Sequence, residues 1–387
     1  MVGWHVPHAS SLTSLEVAPI RNSQAGPTLL VAAGGGGDAL ASLLVSRRLH
    51  ADGAVPVVAS YSWDRRILDP MPGPRFPKDF EGVRRLTPCN VEITAESRLH
   101  SGGSSTLSLL AKTTQAQFVL LDPSSGALGM RQQVIELVQH FSFTSVLLVD
   151  VGGDVVATGT EEELRSPLAD ALALATLADF PVPVHVAVAG PGLDGELAAS
   201  YVRSRCLAHG GELFGRLTAT DVEPHFRALA QHPSEATTLL AASALGITGR
   251  AEIRDNADFV ALNNDSADVY VLDAAAGVAC NQLTQALVAT RSMTEAEAAT
   301  VSLCGRSELD YERQKATTLR SMSPPTSAEM QRRLQDYWSF STARGITLTT
   351  FRRLSEVLRL TSYDPNLIRA LAGSHADRRL ALCWTSP

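Results

Sequence analysis

Four consecutive glycines at positions 34–37 constrain this chain more than any other feature. They separate an apolar β-type run at residues 29–33 from an amphipathic helical pattern at residues 38–49. Glycine permits a sharp turn, and the N-terminus of a helix presents unpaired N–H groups with a partial positive charge. The segment therefore predicts a strand, a tight loop and a helix start that together bind an anionic group of a ligand.

The alternation of strand and helix continues along the chain and predicts the fold class. Short apolar runs at residues 54–60, 118–121, 145–149 and 182–189 alternate with helical patterns. These runs are continuously apolar, which is typical of strands in a parallel sheet that is buried on both faces. We therefore predict an α/β fold with an open, mostly parallel, Rossmann-like sheet, helices on both faces and a helical C-terminal extension.

The pattern also suggests three regions. Residues 1–27 read as an irregular leader, residues 28–300 as the α/β catalytic domain, and residues 301–387, which are charge-rich, as a helical C-terminal region. Within the catalytic domain, residues 251–253 and 269–273 are predicted to form a strand pair.

Composition excludes several classes of protein. The chain has 387 residues and a net charge of −7, which argues against a nucleic-acid-binding protein because phosphate contacts need clustered Lys and Arg. No apolar segment approaches the length needed to span a bilayer. The five cysteines are far apart and form no close pair of the kind that zinc or redox motifs need, so we predict reduced thiols in a cytoplasmic protein.

Acidic residues follow four of the five predicted strands. The carboxyl ends of parallel strands meet at one edge of a sheet, so we expect these side chains to converge there. Carboxylates gathered in a cleft need a cation, a cationic substrate or a raised pKa. Each Asp taken alone also fits a turn or helix cap that binds local amides. The converging residues are Asp38, Asp150, Asp154, Asp170, Asp194 and Glu196.

Two kinds of chemistry are compatible with such a cluster. A hard divalent cation such as Mg²⁺ would take Asp150 and Asp154 as candidate ligands. Alternatively, one carboxyl stays protonated beside an ionised partner, which gives a general acid and a general base. We predict Asp38, Asp154 and Glu196 as catalytic residues. The predicted substrate-binding residues are Gly34, Gly35, Gly36, Gly37, Asp64, Arg65, Asp150, Gly152, Gly153, Ser166, Asp170, Gly190, Gly192, Asp194 and Gly195.

Several blocks of the sequence resemble a known family. It is an uncharacterised domain-of-unknown-function family of archaea and actinobacteria, and the resemblance implies no activity. Thr237 and Thr238 stand where the resemblance implies an Arg. The Gly-Gly-Asp block is also similar to D-glutamate cyclases, which would imply reversible dehydration or cyclisation of an amino acid. The blocks that carry the family resemblance are residues 33–38, 63–75, 150–154, 165–170, 190–197 and 308–312.

A nicotinamide cofactor is the main alternative. Gly34, Gly36 and Ala39 fit the spacing of the dinucleotide fingerprint, although the acidic residue expected after the second strand is missing. Arg65 lies close to that position and would suit a 2′-phosphate. The chain has no G-x-S-x-G elbow and no Walker lysine in the glycine loop, which disfavours Ser-His-Asp catalysis and P-loop phosphotransfer.

Taken together, these patterns predict an enzyme of the lyase, cyclase or group-transfer class. Its substrate would be a small, polar, anionic molecule at the carboxyl edge of the sheet, with Arg65 pairing with the substrate anion. One alternative is an NAD(P)-dependent oxidoreductase. Another is a non-catalytic ligand sensor whose helical C-terminus contacts a partner. Mg²⁺ and NAD(P) both stay open as cofactors, as does a homo-oligomer.

Overall fold

A computed structural model describes residues 26–49, 55–254, 259–319 and 325–385. Nearly all of the predicted leader lies outside the described residues. The strands, in chain order, are β1 (Thr28–Gly35), β2 (Val57–Tyr61), β3 (Phe80–Glu81), β4 (Arg84–Arg85), β5 (Val91–Ile93), β6 (Arg98–Leu99), β7 (Gln117–Leu120), β8 (Ser145–Val151), β9 (Val184–Ala189), β10 (Glu212–Arg216), β11 (Gly249–Glu252), β12 (Val260–Leu262), β13 (Asp268–Asp273), β14 (Leu348–Thr350) and β15 (Leu382–Trp384).

Helices connect most of these strands and form most of the C-terminal region. They are α1 (Gly37–Leu49), α2 (Thr106–Thr113), α3 (Gly126–Phe141), α4 (Pro167–Thr176), α5 (Ala199–Ala208), α6 (Ala219–Val222), α7 (Phe226–Leu229), α8 (Glu235–Ala244), α9 (Ala274–Cys280), α10 (Gln282–Leu287), α11 (Met293–Cys304), α12 (Glu308–Leu319), α13 (Ser327–Ala343), α14 (Phe351–Val357) and α15 (Pro365–Ala372).

The central sheet has nine strands in the order β10-β13-β9-β8-β1-β2-β7-β5-β4. Its middle five strands, from β9 to β7, are parallel. Numbered along the chain, these five lie in the order 5-4-1-2-3, which is the Rossmann order. The prediction of an open, mostly parallel, Rossmann-like sheet is therefore confirmed. Antiparallel strands extend it at both edges, with β13 pairing with β9 and β5 with β7.

Strand β1 shows why the sheet forms where the apolar runs lie. Leu29 and Val31 face one core, into which α3 and α4 pack, whereas Leu30 and Ala32 face the other core with α1, α2 and α8. All four side chains are buried. A strand covered on both faces needs an apolar residue at every position, which accounts for the continuous runs.

The C-terminal region is mostly helical but contributes two strands. β14 pairs with β11, and β15 pairs with β14, in a separate sheet of order β12-β11-β14-β15. The predicted pairing of residues 251–253 with residues 269–273 is wrong. β11 belongs to this smaller sheet, whereas β13 joins the central sheet beside β9.

Two further sequence expectations have structural counterparts. All five cysteines are free thiols, and Cys89 is exposed whereas Cys206, Cys280 and Cys383 are buried. Within the described residues, no helix combines the length and the apolar character that crossing a membrane would require.

Candidate functional site

The candidate site lies at the carboxyl ends of the adjacent strands β1 and β8, where the order in which the chain adds strands to the sheet reverses. From β1 the chain proceeds through β2 and β7 on one side, and it returns to β8 and β9 on the other. This arrangement leaves a crevice between the ends of the two central strands, which is the usual ligand position in open α/β sheets. The glycine loop and Asp38 follow β1, while Asp150 lies near the end of β8.

Three carboxylates meet in this crevice. Asp38, Asp150 and Asp170 each offer an oxygen atom, and these atoms lie within 4.8 Å of one another. Asp38 is in the first turn of α1, and its Oδ2 accepts the N–H of Gly34 at 2.8 Å. Asp150 accepts the N–H of Val155 at 3.1 Å, whereas Oδ1 of Asp170, in the first turn of α4, is buried and has no hydrogen-bond partner among the described residues.

Burial and mutual repulsion hold protons on these groups. Burial raises the pKa of Asp38 to about 7. Burial also raises the pKa of Asp150 to about 8, and the charge of the Asp38 carboxylate is the next largest cause of that rise. Burial is also the largest cause that raises the pKa of Asp170 far above its usual range, and the charges of Asp150 and Asp38 raise it further. Without a cation, the three groups therefore cannot all be ionised at neutral pH.

A second pair of carboxyls lies next to the first three. Asp154 follows β8 and is buried, and its Oδ1 has no hydrogen-bond partner among the described residues. Burial raises the pKa of Asp154 well above its usual range, with Asp194 as the next cause. Burial also raises the pKa of Asp194, to about 7. Since two neighbouring carboxylates repel each other, Asp154 holds a proton that Asp194 can share.

Gly152 allows this pair to form. Its φ of +117° is one that L-residues rarely adopt, and a Cβ there would lie 2.4 Å from Cγ of Asp194. We expect Gly152→Ala to destabilise the protein by about 2 kcal/mol or more, because it adds backbone strain and displaces Asp194. Gly102→Ala is the matched control, since Gly102 has a φ of +78° with nothing within 4 Å of the added Cβ. Urea unfolding checks the difference, and equal losses in both variants would contradict the close packing.

The anion cradle at positions 34–37 stays a prediction, and the N–H of Gly34 is already donated to Oδ2 of Asp38. The other three glycines allow close packing. A Cβ on Gly35 would lie 2.2 Å from the carbonyl oxygen of Trp63, and Gly37 packs equally tightly against the Ser234 hydroxyl. Gly36 has a φ of +49°, and a Cβ there would lie 3.2 Å from Oδ1 of Asp64.

The remaining glycines of the predicted site shape the turns that follow β8 and β9. Gly153 has a φ of +111° and packs against Val202, while Gly190 has a φ of +60° and donates its N–H to Asp268. Gly192 and Gly195 also have positive φ, of +76° and +68°. These four residues position the backbone that carries Asp154 and Asp194.

Glu196 and Ser166, which the sequence places at the site, bind each other. The carboxylate of Glu196 accepts the Ser166 hydroxyl at 3.0 Å and the backbone N–H groups of Arg165 and Ser166. It also lies 3.5 Å from Nη1 of Arg254. Helix α4 begins at Pro167, and the side chain of Ser166 does not cap the helix. The Glu196 carboxylate is thus engaged in fixing the approach to α4.

The loop after β2 carries one exposed cation, Arg65, and two buried acids, Asp64 and Asp69. Arg65 has a side chain that is 60% exposed, and its Nε lies 4.0 Å from a carboxylate oxygen of Glu235. Asp64 is buried, and its Oδ2 accepts the N–H of Thr106 at the start of α2. Asp69 forms a buried ion pair with Arg75 and holds the loop in shape. Arg65 is thus available at the rim, whereas Asp64 caps a helix.

Comparison with known families assigns the chain. The family model described as "Protein of unknown function (DUF1152)" matches residues 29–316, more than half of the sequence. The chain belongs to the DUF1152 family. No curated protein and no solved structure matches it.

The DUF1152 match extends past the boundary predicted near residue 300 and into α12. This helix carries two acids that sequence analysis did not assign to the site. Glu308 accepts the N–H groups of Leu168 and Ala169 at the start of α4, at 2.8 and 3.3 Å. Glu312 accepts the indole N–H of Trp63 at 2.9 Å. The only sequence signal for them was the block at residues 308–312.

A further contact missed from sequence involves α8. Thr237 donates its hydroxyl to the carbonyl oxygen of Gly37 at 2.9 Å. Thr237, which stands where the family resemblance implies an Arg, therefore stabilises the glycine loop after β1 in this DUF1152 protein.

Proposed function

We propose that this protein is an enzyme that uses paired carboxyl groups for acid–base chemistry on a small polar substrate. The observation that carries the proposal is the convergence of acidic side chains at the crevice between β1 and β8, where burial raises the pKa of Asp38 and Asp194 to about 7 and that of Asp150 to about 8. Catalytic carboxyls work best when their pKa lies near the working pH. Two neighbouring carboxyls that differ in protonation are a recurring source of a general acid and a general base.

Asp154 and Asp194 are the residues best suited to the two roles. Asp154, at 6% exposure, has the pKa raised well above its usual range and would donate a proton. Asp194 is half-buried with a pKa of about 7, so it can accept a proton at neutral pH. A lyase, a cyclase or a group-transfer enzyme needs this paired function. Glu196 would position α4 rather than move protons, since its oxygens are already hydrogen bonded.

Arg65 would bind an anionic group of the substrate at the rim. Its guanidinium is exposed and has only a loose contact with Glu235. The helix N-termini at this edge suit that role less well, because carboxylates already occupy them. Asp64 accepts an amide of α2, and Glu308 accepts two amides of α4.

An NAD(P)-dependent oxidoreductase is the second candidate, and the Rossmann strand order favours it. Asp38 opposes it, because a carboxylate in the first turn of α1 stands where a pyrophosphate would bind. Ser60 and Ser62, at the end of β2, are also buried and present no group to a ribose. We therefore place this candidate behind acid–base chemistry.

The test compares variants on a mixture of small metabolites. Purified wild-type protein and Asp154→Asn are incubated with a deproteinised cell extract, and consumed and formed compounds are followed by mass spectrometry. We expect the wild type to convert a polar metabolite and Asp154→Asn to do so about 100-fold or more slowly. The melting temperature should stay equal or rise, because the substitution removes repulsion among buried carboxyls.

The control and the contrary outcomes are equally specific. Asp310→Asn replaces a carboxylate on α12 that is 47% exposed, so turnover should be unchanged. A wild type that retains a metabolite without forming product would favour the ligand sensor. Loss of folding in Asp154→Asn would indicate a structural role for the residue.

A further inference from the structure

We propose that Asp38, Asp150 and Asp170 bind one hard divalent cation, of the class of Mg²⁺ or Mn²⁺. The set differs from the pair expected from the sequence, Asp150 with Asp154. It does not depend on the proposed function, because cation binding can be measured without a substrate.

The spacing of the three carboxylates fits one ion. Oxygen ligands at about 2.1 Å from Mg²⁺ lie about 3.0 to 4.2 Å apart in octahedral geometry. The oxygens offered by Asp38, Asp150 and Asp170 lie within 4.8 Å of one another, so small side-chain movements would bring them to an ion. Three protein ligands leave coordination positions for water or for oxygen atoms of a substrate.

A buried oxygen without a partner supplies independent support. Oδ1 of Asp170 has no hydrogen-bond partner among the described residues, and the residue is 8% exposed. A buried carboxylate oxygen without a donor is costly, and a cation would satisfy it. In the same helix, the N–H groups of Leu168 and Ala169 are satisfied by Glu308.

Gly34 indicates where this oxygen points. A Cβ built on Gly34 would lie 3.1 Å from Oδ1 of Asp170 and 2.8 Å from Oδ2 of Asp38. The two oxygens therefore converge on the same small space above Gly34, and glycine leaves that space open. A methyl group there would push the two carboxylates apart.

The cation would also reconcile an acidic cluster with an anionic substrate. Asp150 and Asp170 are buried beside Asp38, so the three carboxylates are costly to ionise together without a cation. A bound divalent ion favours the ionised forms and offers positive charge to substrate oxygens. The anion-binding role predicted for the glycine amides would then belong to the ion.

Manganese binding tests the proposal directly. The full-length chain is freed of metal with EDTA and titrated with MnCl₂, while free Mn²⁺ is followed by electron paramagnetic resonance. We expect the wild type to bind one Mn²⁺ per chain that Mg²⁺ displaces. Asp170→Asn and Gly34→Ala should each weaken binding about tenfold or more. Asp122→Asn is the matched control, because Asp122 also follows a parallel strand but binds the N–H of Ser124.

Thermal unfolding provides a second readout. MgCl₂ should raise the melting temperature of the wild type, since a ligand that binds only the folded state stabilises it. MgCl₂ should not raise the melting temperature of Asp170→Asn. If Asp170→Asn does not fold, Asp38→Asn is tested in its place. Absence of Mn²⁺ binding by the wild type at millimolar metal, or unchanged binding by Asp170→Asn, would overturn the proposal. Metal binding without turnover would support the cation site and contradict the proposed function. Turnover without metal binding would support the proposed function and contradict the cation site.

Discussion

Glu252→Ala is expected to lower the free energy of unfolding by about 3–5 kcal/mol, because it removes a buried carboxylate that pairs with the buried guanidinium of Arg353. Glu252 is 1% exposed at the end of β11. Its carboxylate lies 3.2 Å from Nε of Arg353 and 2.5 Å from Nη1 of Arg344. The hydroxyl of Tyr337 donates to it at 2.7 Å. This network joins α13 and α14 to the smaller sheet.

Urea unfolding, followed by circular dichroism and by tryptophan fluorescence, to which Trp338 in α13 contributes, checks this expectation. Trp338 stacks on His375 with ring centres 4.7 Å apart, so its emission reports on the C-terminal region. Asp310→Ala, which removes an exposed ion pair with Arg313, should cost less than about 1 kcal/mol. The double change Glu252→Leu with Arg353→Met should lose less than Glu252→Leu alone, because it removes the buried guanidinium together with the carboxylate that faces it. A loss for Glu252→Ala as small as that of the control would contradict the role of the network.

The second large effect concerns pH and Glu308. Burial raises the pKa of Glu308 from its usual 4.5 to about 8, and the carboxylate of Glu312 is the next cause. The folded protein therefore keeps this proton between pH 4.5 and 8, whereas the unfolded chain loses it. Because the folded state binds more protons in that window, the contribution of Glu308 to stability is fully present below about pH 4.5. It is lost as the pH rises to about 8. The difference corresponds to at most about 5 kcal/mol.

Glu308→Gln isolates this contribution. The amide oxygen of Gln can still accept the N–H groups of α4, but the side chain has no proton to lose. We expect the variant to be more stable than the wild type at pH 8 and equal to it near pH 4.5, in urea unfolding with EDTA present. Asp310→Asn, an exposed carboxylate on the same helix, should leave the pH dependence unchanged. A wild type whose stability rises from pH 5 to pH 8 relative to Glu308→Gln would show the opposite sign.

Other charged groups surround Glu308 and are kept in these variants. Asp170 from α4, Arg65 from the loop after β2 and Glu196 from the loop after β9 all interact with it electrostatically. Tyr61 from β2 also lies within range. Comparing wild type with Glu308→Gln at each pH removes their shared contribution.

The sequence alone determined the alternation of strand and helix along the five parallel strands of the central sheet and the placement of acids at its carboxyl edge. Continuous apolar runs and glycine-rich turns are local patterns, and a strand buried on both faces has few alternatives. Asp38 and Asp150 were therefore expected at the same edge of the sheet, and the structure places them together.

Tertiary structure decided which groups meet. Asp170 and Asp38 form the three-carboxylate group with Asp150, whereas Asp154 pairs with Asp194, because side-chain positions depend on turn geometry. Glu308 reaches α4 from a helix well over a hundred residues further along the chain. β13 joins the central sheet, and β11 joins the smaller one. Such contacts arise from packing between distant segments, and no local spacing in the sequence specifies them.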